Sequence, residues 1–312
     1  MGPSVAASGV CVIAPTAFHE NGSIDYQSLE RMTDAFLQFG VTGIAVLGQM
    51  GEAPKLDHEE ALRVATRVVK RATAPVIVGV SAAGFAAMRL LARKVMDAGA
   101  AAVMVAPPPS LRSDDQITAY YRQVAEALGR DVPFVVQDYP LLFNVTMSPS
   151  VIRRVVMENC SCVALKHEDW PGLDKISTLR KFESEGSMRH IPILCGNGGL
   201  FLDFETERGA DGAMTGYCFP DMLVDTLRLA KSGERDAAHD LFDTHLPLIR
   251  YEQQPNYGLA VRKYVFMRRG ILKSDAQRRP AATLSACAKA EVEYLLSRIA
   301  RADKRAQLGS PS

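Results

Sequence analysis

The sequence predicts an α/β protein folded as a (β/α)8 TIM barrel with a C-terminal three-helix extension. Eight short apolar runs alternate with longer amphipathic stretches. The runs are continuously apolar, as is typical of parallel strands that are covered on both faces. Successive runs begin roughly 25–35 residues apart, which is the length of one βα unit. Eight such units without a break in composition favour one closed barrel over an open doubly wound sheet.

The predicted strands are rich in small and β-branched residues. In chain order they are 10–14, 43–47, 75–80, 102–106, 133–138, 162–166, 191–195 and 212–215. Helix-start signals lie between them. Residues 57–60 and 113–116 have the form of a capping box, and Ser148 precedes a proline at a first helical position.

Only helical patterns follow the eighth strand. They cover 221–232, 234–249, 256–270 and 286–302. The first of these helices would close the barrel, and the other three exceed what a minimal barrel needs. We therefore predict a barrel over residues 1–232 and a helical extension packed on it over 233–303. Residues 304–312 are predicted to form a frayed polar tail.

Composition narrows the class of protein. Of the 312 residues 47% are hydrophobic and 23% are charged, and the formal net charge is +1. This balance argues against nucleic-acid and membrane partners. No apolar run reaches the roughly 18–20 residues of a membrane span, and the N-terminus lacks the basic leader of a signal peptide. The six scattered cysteines are predicted to be buried thiols in a reducing compartment, which indicates a cytoplasmic protein.

The sixth strand ends in a lysine. Strict alternation places Cys162, Ala164 and Lys166 inside the barrel and Val163 and Leu165 outside. Burying an ammonium at the rim is costly, which favours a neutral amine able to attack a carbonyl. The alternative is a strand of opposite phase, with Lys166 in an outward salt bridge.

Three more side chains near this strand end are candidates for the site. Glu168 would face the same mouth and accept a proton, unless it is a solvated loop carboxylate. Gln137 and Tyr139 share one face at the end of the fifth strand. A phenol can relay protons, whereas an amide can only form hydrogen bonds.

Glycine-rich turns follow the second, seventh and eighth strands. Gly48, Gln49, Met50 and Gly51 form a turn whose backbone N–H groups could bind a carboxylate. Gly196 and Thr215 begin the loops where many barrels bind phosphate. A phosphosugar or flavin enzyme therefore remains a competing hypothesis. No histidine or carboxylate spacing is typical of a metal site, so we predict none.

Taken together, these stretches resemble the dihydrodipicolinate synthase / N-acetylneuraminate lyase family. The resemblance covers nearly the whole chain and is carried by residues 9–18, 48–52, 163–168, 196–199 and 212–216. It implies a barrel enzyme in which Lys166 forms an imine with a small-molecule 2-keto acid, with no other cofactor. It also implies a homotetramer or homodimer.

The chain departs from the synthase pattern at several positions. Gln137 falls where the synthase and lyase branches place a relay tyrosine, and Tyr139 lies one strand step away. Gln49 and Met50 replace paired threonines, and residues 141–144 lack a carboxylate-binding arginine. These departures argue against lysine biosynthesis.

The closest resemblance is to the 2-keto-3-deoxy-arabonate dehydratase branch. It rests on Gln137-Asp-x-Pro, the Lys166-x-Glu168 pair and residues 212–220 and 246–252. The resemblance implies that Tyr139 or Glu168 moves protons, Gln137 positions the substrate and the 48–51 backbone binds its C1 carboxylate. Gly196 and Thr215 would line the far wall. A pyruvate-dependent aldolase, a 4-hydroxy-tetrahydrodipicolinate synthase and a non-catalytic keto-acid binder remain alternatives.

Overall fold

Eight parallel strands close into a barrel in the computed structural model, which describes residues 8–309. Each strand pairs with the next along the chain, and the last pairs with the first. The strands are β1 (Gly9–Ile13), β2 (Gly43–Val46), β3 (Val76–Gly79), β4 (Ala102–Val105), β5 (Phe134–Asp138), β6 (Cys162–His167), β7 (Ile193–Cys195) and β8 (Gly212–Thr215). The predicted (β/α)8 fold is confirmed.

Helices connect the strands and continue to the end of the described chain. They are α1 (Tyr26–Gln38), α2 (His58–Arg71), α3 (Phe85–Asp97), α4 (Asp114–Leu128), α5 (Pro140–Phe143), α6 (Pro149–Glu158), α7 (Leu173–Ser184), α8 (Leu202–Glu207), α9 (Pro220–Lys231), α10 (Arg235–Glu252), α11 (Gly258–Arg268) and α12 (Ala286–Ile299). Asp57 and Ser113 form the predicted capping boxes at α2 and α4, and Ser148 caps α6. Within residues 8–309, no helix combines the length and apolar character that crossing a membrane requires.

Two apolar cores hold the barrel together. The larger one lies between the strands and the surrounding helices. The smaller one fills the barrel interior and consists of Cys11, Ile13, Ala45, Ile77, Ala102, Met104, Val135, Ala164, Leu194 and Met214. Small and unbranched side chains predominate inside because eight strands leave a narrow interior.

A bulge in β6 changes the phase of that strand. Phe134 pairs with Cys162, but the next residue, Val135, pairs with Ala164, so Val163 is an extra residue. Cys162 consequently belongs to the outer core, and Val163 packs against the inner one. The prediction that Cys162 points inward and Val163 outward is therefore wrong. Beyond the bulge, Ala164 and Lys166 lie on the inner face.

Two cysteines also differ from the prediction. Cys160 and Cys287 are exposed, whereas the other four are buried as expected. Cys160 lies in the turn before β6 and Cys287 in the first turn of α12, where neither element covers its side chain.

The C-terminal helices pack on one side of the barrel. Helix α10 lies against α8 and α9 and in turn carries α11 and α12. A 3-10 turn over Lys304–Ala306 follows, and Ala306 is buried there. Arg305 pairs with Asp225 and Asp303, which holds this part of the predicted tail against α9. Residues 1–7 and 310–312, on which parts of the leader and tail predictions fall, lie outside the described chain.

Candidate active site

Lys166 projects from β6 into the upper end of the barrel. Its side chain is buried, with 5% of the residue exposed. Ala164 lies below it on the same face of the strand. Burial raises the pKa of the inner Cys11 thiol to about 12, and the positive charge of Lys166 opposes that rise. Lys166 therefore lies close to the apolar interior of the barrel.

The Glu168 carboxylate brings three predicted residues together. Its Oε2 lies 3.1 Å from Lys166 Nζ and accepts a 2.7 Å hydrogen bond from Gln137 Nε2. Glu168 is 6% exposed, so it is a buried carboxylate and not the solvated loop residue of the alternative. The register of β5 and β6 places Gln137 directly beside Lys166. The Lys166 amine and the Gln137 amide thus contact the same Glu168 carboxylate oxygen at the barrel mouth.

Gly196 makes room for that carboxylate. A Cβ atom at this position would collide with the Glu168 side chain. The loop after β7 also supports Glu168 from above, since Asn197 Nδ2 donates a 2.8 Å hydrogen bond to its backbone oxygen. The structure therefore places Gly196 beside the Lys166–Glu168 pair, in a role that depends on its missing side chain.

Tyr139 stands at the edge of this group. It is partly buried at the start of α5, and its ring packs edge-on against Phe143 with centroids 6.2 Å apart. Burial, and secondarily the negative charge of Glu168, raises the pKa of the phenol. Its hydroxyl group makes no hydrogen bond within residues 8–309. At neutral pH it is a protonated donor without a partner.

The turn after β2 is a 3-10 helix over Gln49–Gly51. The N–H groups of Gly51 and Glu52 donate backward within the turn, whereas those of Gln49 and Met50 find no acceptor among the described residues. Thr16 Oγ1 fixes the turn with a 2.6 Å hydrogen bond to the Gly51 oxygen. Met50 packs against the inner core, and the Gln49 side chain is exposed. Two free backbone donors thus lie at the rim.

Thr215 is not brought to this group. The preceding residue, Met214, belongs to the inner core, so alternation turns Thr215 toward the helices. The Thr215 methyl group lies near Gly199. The expectation that Thr215 lines the far wall of the site does not fit this placement.

A buried pair behind the 49–51 turn was not predicted. Glu52 accepts 2.6 Å and 2.8 Å bonds from Lys263 and Lys55. Burial lowers the pKa of Lys263 to about 8, although Glu52 opposes that shift. The available signal was the adjacent Arg262 and Lys263 within the largely apolar helix α11, because charged residues are buried only when they are paired.

No group of three or more His, Cys, Asp and Glu side chains converges as metal ligands anywhere between residues 8 and 309. The candidate groups that do meet are an amine, a carboxylate and an amide, with a phenol at their edge. Such a set can form an imine with a ketone and transfer protons around it.

A family model and a solved structure both relate this chain to dihydrodipicolinate synthases. A model of the dihydrodipicolinate synthetase family matches residues 6–299. A crystal structure described as dihydrodipicolinate synthase from Rhodopseudomonas palustris superposes with a TM-score of 0.94 at 64% identity, covering 96% of this chain and 99% of that one.

Two curated relatives carry other names. An L-2-keto-3-deoxyarabonate dehydratase from Azospirillum brasilense is 27% identical over 298 residues, which cover 93% of this chain and 94% of that protein. YagE of Escherichia coli, provisionally named a 2-dehydro-3-deoxy-D-gluconate aldolase, is 24% identical over 306 residues, which cover 96% and 99%.

Proposed function

Because this chain belongs to the dihydrodipicolinate synthetase family, we propose that it is a hydro-lyase acting on a 2-keto-3-deoxy sugar acid such as 2-keto-3-deoxy-arabonate. Enzymes of the family are metal-free lyases and aldolases that work through a lysine Schiff base. The observation that carries the proposal is the Glu168 oxygen shared by Lys166 and Gln137. Glu168 is a proton acceptor beside the Lys166 amine, and Gln137 is an amide at the position where the synthase pattern has a phenol.

The first step is imine formation. The ion pair stabilises the Lys166 ammonium, so the amine becomes nucleophilic when Glu168 Oε2, 3.1 Å away, takes its proton. The amine then bonds to C2 of the substrate. The former carbonyl oxygen receives one proton from the attacking nitrogen and one back from Glu168 and leaves as water, so Glu168 is again a carboxylate. The free N–H groups of Gln49 and Met50 would hold the C1 carboxylate during this step.

The second step is elimination. The protonated imine withdraws electrons from C3, so Glu168 can remove a C3 proton and leave an enamine. The enamine electrons then expel the C4 hydroxyl group, which departs as water with a proton from Tyr139. The raised pKa of the Tyr139 phenol keeps it protonated for this task. Tautomerisation and hydrolysis of the imine release the product and restore Lys166. Glu168 gives up the proton that it took from C3, and Tyr139 regains one, which completes the cycle.

The second candidate is the synthase reaction, because a 64% identical chain is described as a dihydrodipicolinate synthase. Against it stands Gln137, since a carboxamide cannot relay the protons that a phenol relays. An aldolase would differ only in its base. Removing the C4 hydroxyl proton, instead of a C3 proton, breaks the C3–C4 bond and yields pyruvate.

Product analysis tests the proposal. The protein is incubated with 2-keto-3-deoxy-arabonate, and in parallel with pyruvate plus aspartate semialdehyde, with Lys166→Arg as the control in both. We expect 2-oxoglutarate semialdehyde from the first incubation, no condensation in the second and no turnover by the variant. Pyruvate from the sugar acid, or condensation of pyruvate with the semialdehyde, would overturn the dehydratase assignment.

We further propose a homodimer or homotetramer in the cytoplasm. Both proposals rest on the family resemblance and on the composition described above. Analytical ultracentrifugation tests the first, with a monomer as the contradicting result, and cell fractionation tests the second.

A further inference from the structure

Polar side chains from distant segments fill the space above two glycines at the barrel mouth. Glu168 occupies the space that a side chain at Gly196 would need, after β7. The Arg262 guanidinium of α11 does the same above Gly216, after β8, where a Cβ atom would collide with its Nη1. Because Met214 faces the interior and alternation repeats every two residues, position 216 also faces inward. Arg262 therefore reaches over the rim of the barrel.

Arg262 uses only part of its hydrogen-bonding capacity. Its Nε and Nη2 atoms bond to the Glu252 carboxylate, whose other oxygen accepts a 3.2 Å hydrogen bond from the Cys218 backbone. Both side chains are buried. The remaining atom, Nη1, is buried without any hydrogen-bond partner in the described chain. A buried donor that is left unpaired costs free energy, so it is a position where an incoming oxygen atom would be stabilised.

The free donor lies within reach of a short substrate on Lys166. Cys195 pairs with Ala213, so Gly196 stands opposite Met214, and Gly216 lies two residues farther along β8. With the usual strand spacing and rise, the Cα atoms of Gly196 and Gly216 are about 8 Å apart. If a substrate is joined to Lys166 beside Glu168, the far end of its carbon chain would approach Arg262 Nη1.

We propose that Arg262 is a specificity-determining residue whose Nη1 donates a hydrogen bond to a terminal hydroxyl group of the substrate. This inference rests on the proposed function. It identifies the substrate class as 2-keto-3-deoxy acids that end in a hydroxyl group. A terminal carboxylate fits less well, because Arg262 is already neutralised by Glu252 and Lys166 by Glu168. A second buried negative charge would have no free countercharge among these four groups.

The test compares three substrates that differ only at C5. They are 2-keto-3-deoxy-arabonate, its 5-deoxy analogue 4-hydroxy-2-oxopentanoate, and 4-hydroxy-2-oxoglutarate. Substrate consumption gives kcat/KM whatever the products are. We expect the wild-type protein to prefer the hydroxyl-bearing acid over the 5-deoxy acid about tenfold or more. The dicarboxylate should be consumed more slowly than the hydroxyl-bearing acid.

Two variants then examine the role of Arg262. Arg262→Lys keeps a cation beside Glu252 but removes Nη1, and Gly216→Ala adds a Cβ atom that collides with Nη1 and Cζ and so displaces the guanidinium. In both variants the ratio of kcat/KM for the hydroxyl-bearing acid to that for the 5-deoxy acid should fall close to one. Arg122→Lys, in an exposed pair with Glu158, is the matched control and should leave it unchanged.

An unchanged preference in folded Arg262→Lys and Gly216→Ala proteins would overturn the inference, as would a wild-type preference for the dicarboxylate. The proposed function fails separately, when the wild-type protein forms no adduct with pyruvate at Lys166. Gly216→Ala should still form that adduct, since pyruvate has no distal end. Loss of the adduct in this variant would mean that Arg262 supports the site only structurally and would also overturn the inference.

Discussion

The Glu168 carboxylate lies 3.1 Å from the Lys166 ammonium, and both groups are buried at the mouth of the barrel. Gln137 binds the same carboxylate oxygen from the neighbouring strand. A buried ion pair of this kind holds its partners in place, and removal of one partner leaves an uncompensated charge. The pair also provides a short path along which Lys166 can give up and regain its proton.

Glu168→Gln tests whether the carboxylate moves protons. The amide keeps the shape of the side chain but cannot act as a base, so we expect kcat to fall by about 10²–10⁴-fold. Steady-state kinetics with the 2-keto-3-deoxy acid measures the change. Glu59→Gln, on the exposed first turn of α2, serves as the control. A kcat close to that of the wild type would exclude Glu168 as the proton carrier.

Gly196→Ala tests whether the position of Glu168 depends on the missing side chain. The added methyl group would collide with the Glu168 side chain and push it away from Lys166. We expect kcat/KM to fall at least about tenfold, which is typical when a catalytic group is misplaced. Gly84→Ala is the matched control, because a Cβ atom there meets nothing within 4 Å. Equal activities of the two variants would contradict the idea that Glu168 needs the space left by the missing side chain of Gly196.

Glu205→Gln tests a pH-dependent contribution to stability. Glu205 is buried on α8 behind β7, and burial raises the pKa of its carboxyl group to about 7 from 4.5, opposed mainly by the electrostatic influence of the nearby His167. Between these two pH values the folded state binds more protons than the unfolded state. The free energy of unfolding therefore decreases as the pH rises through this window, by up to about 3 kcal/mol.

The glutamine variant lacks this titration. It should have a higher free energy of unfolding than the wild type above pH 7, and the difference should shrink toward pH 5. Urea unfolding of both proteins at pH 5, 6, 7 and 8 measures the difference between their free energies of unfolding. The contributions of the other titrating groups are the same in both proteins and cancel in this difference. A difference that stays constant across these pH values would show that Glu205 does not titrate in this range.

Much of the fold follows from the sequence for a simple physical reason. Parallel strands covered on both faces must be apolar throughout, so all eight appear as continuous apolar runs. Strand alternation also predicts that Lys166 and Glu168 face the same mouth and that Gln137 and Tyr139 share one face of β5. The structure shows that Glu168 contacts both Lys166 and Gln137. The bulge at Val163 could not be predicted, because one extra residue leaves no trace in composition.

Contacts between distant parts of the chain could also not be predicted from the sequence. Glu52 and Lys263 are 211 residues apart, yet they form a buried pair. Arg262 meets Gly216 only because α11 crosses the end of β8. Local patterns show which face of an element is apolar, but they do not show which later helix will cover it. The orientation of Thr215 was also not apparent from the sequence, since the phase of a four-residue strand is weakly marked by its residues.

Borohydride reduction in the presence of pyruvate tests whether Lys166 forms an imine with a 2-keto acid. The protein is treated with both reagents, weighed intact by mass spectrometry and digested to map the modified residue. Lys166→Arg and the exposed-lysine variant Lys181→Arg are treated in parallel. We predict one reduced pyruvyl group on Lys166 in the wild-type and Lys181→Arg proteins and none in Lys166→Arg. A folded wild-type protein without an adduct, or with the adduct on another lysine, would contradict the assignment of Lys166 as the imine-forming residue.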